Sequence, residues 1–72
     1  MQTTTKQETY SRAMRVTLVM QANGGSVAVQ VKLGTAWVTS DTLWTDGAYQ
    51  LNIPPATVRF VPASGAAFEV FA

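Results

Sequence analysis

The chain predicts an all-β fold: a compact antiparallel β-sandwich or small barrel of about six to seven short strands with an extended N-terminal arm. Three observations carry this. Apolar and polar residues alternate in several short runs, the mark of half-buried strands. Glycine or proline stands at nearly every join between runs. The joins recur at roughly the 8–12-residue spacing of sandwiches and barrels, and no segment reads as a helix of three turns.

Taken in order, residues 1–11 form an arm and residues 12–72 a single β domain. Met1–Ser11 is rich in Thr and Gln, has one aromatic, Tyr10, and shows no sustained alternation. It reads either as a frayed terminus or as an arm that adds to a neighbouring subunit as a strand. Arg12–Met20 is the first strand, with Met14, Val16, Leu18 and Met20 on one face. Ser26–Leu33 is the next and the clearest: Val27, Val29, Val31 and Leu33 line one face, and valine is at home in a sheet. Asn23-Gly24 between the two is a strong hairpin signal, so they are expected to pair side by side.

Gly34 marks a tight hairpin into Thr35–Thr39, and Ser40-Asp41-Thr42 reads as a turn. Thr42–Thr45 is a brief strand or bulged edge, and Asp46-Gly47 a second hairpin signal. Tyr49, Leu51 and Ile53 alternate with Gln50 and Asn52 in a strand that Pro54-Pro55 ends, since proline cannot donate to a ladder. Thr57–Val61 follows with Val58 and Phe60 inward, and Pro62–Gly65 turns the chain. Ala67–Phe71 is the last strand, with Phe68 and Val70 on one face.

With 72 residues the chain makes one small domain. Such a chain buries only roughly 60% of the surface that it exposes unfolded. It has no Cys and no His, so neither a disulfide nor the usual zinc and transition-metal ligand sets can compensate. Charged residues make up 12%, against about 25% in ordinary soluble domains. Both features point to association, because interface cores are depleted in charge. The net charge is +1 and the five basic residues, Lys6, Arg12, Arg15, Lys32 and Arg59, are scattered, which argues against a nucleic-acid partner. No run is long enough to span a membrane as a helix, and the polar start carries no secretory h-region, so the chain is expected to be made in the cytosol as it stands.

Catalysis is not expected. The usual general base and the thiol nucleophile are missing, no cofactor motif is present, and Asp41 and Asp46 sit in turn contexts rather than at calcium-loop or glycosidase spacing. No small-molecule substrate is therefore expected. The informative side chains are aromatic. Trp37, Trp44 and Tyr49 lie close in sequence and read as core or subunit contacts, or as a stacking platform for sugars or bases. Tyr10, Trp37, Trp44, Tyr49 and Phe71 are the candidate subunit or shell contacts. Arg59 is open to three readings: a solvated side chain, an ion pair with Glu69 or Asp46, or a partner contact.

Four stretches carry a resemblance: Gly-Gly-Ser-Val-Ala-Val-Gln-Val from Gly24, Gly-Thr-Ala-Trp-Val-Thr from Gly34, Thr-Asp-Gly-Ala-Tyr-Gln-Leu from Thr45, and Val-Arg-Phe-Val from Val58. Together, from Gly24 to Val61, they resemble small all-β bacteriophage virion proteins, a class of capsid decoration (cement) proteins, head fibres and small tail proteins. The chain departs from that pattern in its first hairpin, where Gly34 stands alone in place of Asp-Gly-Gly. The resemblance implies a virion component made in the host cytoplasm. Its partners would be copies of itself, as a homo-oligomer such as a trimer, and other virion proteins such as a major capsid protein. The alternative is a small carbohydrate- or receptor-binding β module associated with a tail or head fibre.

Overall fold

Seven strands, all antiparallel, account for most of residues 1–71, the part described by a computed structural model. They are β1 (Lys6–Thr9), β2 (Met14–Gln21), β3 (Ser26–Leu33), β4 (Ala36–Leu43), β5 (Gly47–Ile53), β6 (Thr57–Ala63) and β7 (Ala67–Phe71). They form two sheets, one of four strands ordered β1-β6-β3-β4 and one of three ordered β5-β2-β7. The predicted all-β class is present as a small two-sheet sandwich.

The apolar stripes read from the sequence meet between the sheets. Val16, Leu18 and Met20 of β2 are buried together with Val27 and Val29 of β3, Val58 and Phe60 of β6, Ile53 of β5 and Phe68 of β7. Phe60 and Phe68 come from opposite sheets, and their rings lie 6.1 Å apart at a tilted 43°. Each such side chain contributes about 1.5–3 kcal/mol on burial.

Four expected turns turn out differently. Asn23-Gly24 does form a tight turn, with φ of 50° and 83° and Gly25 N–H donating to Ala22 C=O at 2.7 Å. It does not make a hairpin, because β2 pairs with β5 and β7 whereas β3 pairs with β4 and β6. Both strands are central, so the turn lifts the chain from one sheet to the other, and the two valine- and leucine-rich faces stack instead of lying side by side. Asp46-Gly47 likewise links different sheets, since β4 belongs to the four-stranded sheet and β5 to the three-stranded one. Pro62 and Ala63 belong to β6, and the reversal falls on Ser64 and Gly65, both at positive φ.

Ser40-Asp41-Thr42 is not a turn but part of β4, which runs unbroken to Leu43. The register against β3 shifts between Val29 and Gln30, from Asp41 to Thr39, so Ser40 is the extra residue of a β-bulge. Its hydroxyl donates to the Val29 carbonyl at 3.2 Å, using the short polar side chain within a strand rather than at its end. Only the Gly34-Thr35 hairpin joins sequence neighbours in one sheet, with Leu33 opposite Ala36.

The N-terminal residues are bonded to their own chain. Lys6–Thr9 pairs with β6 as an edge strand, and Gln2 exchanges backbone hydrogen bonds with Phe68 of β7 at 2.7 and 2.9 Å. This segment therefore stitches the two sheets together along one flank. Three of the five cross-sheet connections, β2–β3, β4–β5 and β6–β7, gather at one end of the sandwich. There Asp46 Oδ1 accepts from Ala22 N–H at 2.7 Å, and Asn23 Nδ2 donates to Gly65 C=O at 3.1 Å.

Candidate functional site

The register places the five candidate contact residues on different surfaces. Trp37 lies opposite Lys32, on the outer face of the four-stranded sheet. Tyr49 lies opposite Leu18, on the inner face of the three-stranded sheet, and is half-buried against the core. Its hydroxyl donates to Thr45 C=O at 2.7 Å. Trp44 follows β4 in the cross-sheet connection and is 67% exposed. Phe71 lies on the outer face of the three-stranded sheet opposite Thr17 and is 53% exposed. Tyr10 packs half-buried on the core between β1 and β2, its N–H donating to Ala56 C=O at 3.0 Å. Burial, and then the neighbouring Glu8 carboxylate, hold its phenol above the usual value.

Trp37, Trp44 and Tyr49, neighbours in sequence, thus form no common platform. One faces outward, one sits in a loop and one faces the core. The strand pleat separates them, because positions of opposite parity fall on opposite faces and a change of sheet intervenes between Trp44 and Tyr49.

A different cluster forms around Trp37, from residues far apart in the chain. Arg59 reaches across β3 from β6 and places its guanidinium 4.1 Å from the Trp37 ring centroid, while the Lys32 ammonium stands 6.0 Å away. Arg59 Nε donates to Gln30 Oε1, and Gln30 Nε2 donates to Thr39 Oγ1 at 3.2 Å. Of the readings for Arg59, the ion pair with Glu69 or Asp46 is not formed. The guanidinium instead caps an aromatic face, a contact worth about 0.5–1 kcal/mol where solvent reaches it. Among the described residues, Lys32 and Arg59 share this face with no carboxylate: Glu8 and Asp41 fall in the inward register opposite Val58 and Val29, Asp46 is in the turn cluster, and Glu69 is on the other sheet. Among the described residues no three His, Cys, Asp or Glu side chains come together to hold a metal.

Leu33, read from the sequence as part of a buried stripe, is a surface residue. With Val38 it completes the inward stripe of the β3–β4 hairpin, yet the two are 60% and 46% exposed. The hairpin runs on past the shelter of the second sheet, so its last inward residues have nothing above them. The signal available for this was the position of Leu33 directly before the Gly34 turn.

No protein-family model, curated protein or solved structure matches the chain.

Proposed function

We propose that this chain is a non-catalytic structural component of a bacteriophage particle, acting as a capsid decoration protein that binds and stabilises the assembled shell. The observation that carries the reading is the large apolar surface left in water by a chain with so few charges. Leu33, Val38, Trp44 and Phe71 are all exposed, although only 12% of the residues are charged. Scattered exposed apolar residues are ordinary. Here they stand at both ends and on one outer face of a molecule too small to bury a generous core of its own, which suits a protein completed by neighbours. The resemblance of Gly24–Val61 to small virion proteins supplies the particle as that neighbour.

The mechanism is mass action. A protein that binds the assembled state and not its dissociated parts stabilises the assembly in proportion to its occupancy. Many equivalent sites on one shell would add avidity for an oligomeric form. Quantitative mass spectrometry of purified particles tests this reading: the chain should be present in copy number comparable to the shell protein. Particles stripped of it should lose their contents at lower temperature and recover when it is added back. Its absence from purified particles would refute the proposal.

A further inference from the structure

The sandwich has four strand edges, and they are protected unequally. β1 carries Lys6 and Glu8 in the inward register, opposite buried Phe60 and Val58, as a pair 3.3 Å apart. A strand docking on this edge would have to bury those charges, which is a common device for keeping an edge free. The edge of β7 is occupied by Gln2. β4 is bent by the bulge at Ser40 and carries Asp41 in the inward register. β5 has none of these devices. Gly47–Ile53 contains no charge and no proline, and its seven residues pair with β2 in unbroken register. Among the described residues nothing pairs with its other edge.

We infer that the free edge of β5 is a self-association site, at which a second copy of this chain adds its own β5 antiparallel across a two-fold axis at Gln50. Two three-stranded sheets thereby become one of six strands. A two-fold contact sets each surface against itself, so a strand that joins its own copy must not oppose like charges. β5 satisfies that condition. With Gln50 opposite Gln50, Tyr49 of each copy faces Leu51 of the other along the inner row, an aromatic–aliphatic cross-strand pair made twice. Both side chains are only half-buried in the single chain.

The exposed apolar residues beside this edge fit the same axis. Trp44 lies in the connection from β4 into β5, at the end where three cross-sheet connections gather, whereas Leu33 and Val38 lie towards the opposite end of β4. Antiparallel docking brings the first end of one copy to the second end of the other. Trp44 then faces the uncovered β3–β4 tip of its partner, and the reverse contact repeats it. The closed dimer uses up the edge, so addition stops at two chains.

This goes beyond the particle reading and does not require it. The test is sedimentation velocity of the full chain across a concentration series, with Gln50→Lys, Gln50→Glu and Trp44→Ser. Gln50 is exposed and its oxygen accepts from Arg15 at 3.4 Å, so the Glu variant keeps a favourable neighbour and the fold; circular dichroism checks each variant. The wild type should move from 7.7 kDa towards twice that mass. Each charged variant alone should associate about tenfold or more weakly, because two like charges meet on the axis. An equimolar mixture of the Lys and Glu variants should restore association, and Trp44→Ser should weaken it. A wild type that stays at 7.7 kDa throughout overturns the site, whether or not it binds particles. A wild-type dimer unaffected by both Gln50 substitutions also overturns it, and places association elsewhere while leaving the particle reading intact.

Discussion

At Gly25 the chain has no room for a side chain. A β-carbon there would stand 1.8 Å from the Ala63 carbonyl oxygen and 2.9 Å from its carbon. Those are backbone atoms at the end of β6, so they cannot turn aside. Gly25→Ala should destabilise the fold by about 3 kcal/mol, read as a lower urea midpoint. That is a large part of the roughly 4–11 kcal/mol expected for a domain of this size. The sequence marks Gly25 only as the start of a strand, because the residue that makes glycine necessary comes from a distant turn. Tyr10 offers a second test. Its phenol is raised by burial and by Glu8, so the folded chain keeps the proton at a pH where the unfolded chain has lost it. The associated stability is fully present below the unfolded value near 10 and falls away as pH rises from there through the folded value. Tyr10→Phe should flatten the alkaline decline in a pH series of urea midpoints, and an unchanged decline would contradict this assignment. At this scale the aromatic residues were visible in the sequence, but the partners that give Trp37 its environment, Arg59 and Gln30, were not, since they arrive from other strands.

Strands were legible wherever one face is buried. The alternation in Ser26–Leu33, Tyr49–Ile53 and Ala67–Phe71 corresponds directly to β3, β5 and β7, with Val27, Ile53 and Phe68 inward and buried. Two elements were not legible, for opposite reasons. β4 was split in two because Ser-Asp-Thr reads as a turn, whereas a bulge accepts the same residues and keeps the strand going. β1 was missed because Lys-Gln-Glu-Thr has no apolar face; it is a strand only because β6 leaves an edge to pair with. The expected six to seven strands and the observed seven agree in number but not in membership. The character of β1 leads to a prediction at this scale. If Lys6 and Glu8 guard the edge by facing inward, then Lys6→Val with Glu8→Val should leave the chain folded while opening the edge. Concentration-dependent association should appear by light scattering at concentrations where the parent shows none beyond its own equilibrium. Equal scattering from both proteins would show that these charges do not guard the edge.

Which strand lies in which sheet was the least legible property, and it follows from how the stripes are used. An alternating strand says that one face is covered, not whether its chain neighbour lies beside it or above it. β2 and β3 satisfy their patterns equally well in a hairpin and in a stack; the choice is made by β5, β6 and β7, which take up the available edges. The same arrangement determines how the chain must fold. Of the five strand pairings, only β3–β4 joins consecutive strands; β1–β6, β2–β5, β2–β7 and β3–β6 all close long loops. Loop entropy has to be overcome before such pairings contribute, and sandwiches dominated by them fold on the order of milliseconds to seconds despite their small size. The β3–β4 hairpin can form early, but its tip residues Leu33 and Val38 stay exposed even in the finished fold, so it gains little apolar burial by itself. The four-stranded sheet forms only when β6 reaches β3, which closes a loop over β4 and β5, whereas β2 can stack on β3 through the short Ala22–Gly25 turn. Stopped-flow Trp fluorescence should show refolding in the millisecond-to-second range. Val29→Ala, at the meeting of β3 with β4 and β6, should slow refolding more than Val70→Ala on the short terminal strand β7. Refolding in microseconds, or a larger slowing from Val70, would mean that the barrier is set by local structure or by the β2–β7 pairing, and not by assembly of the four-stranded sheet around β3.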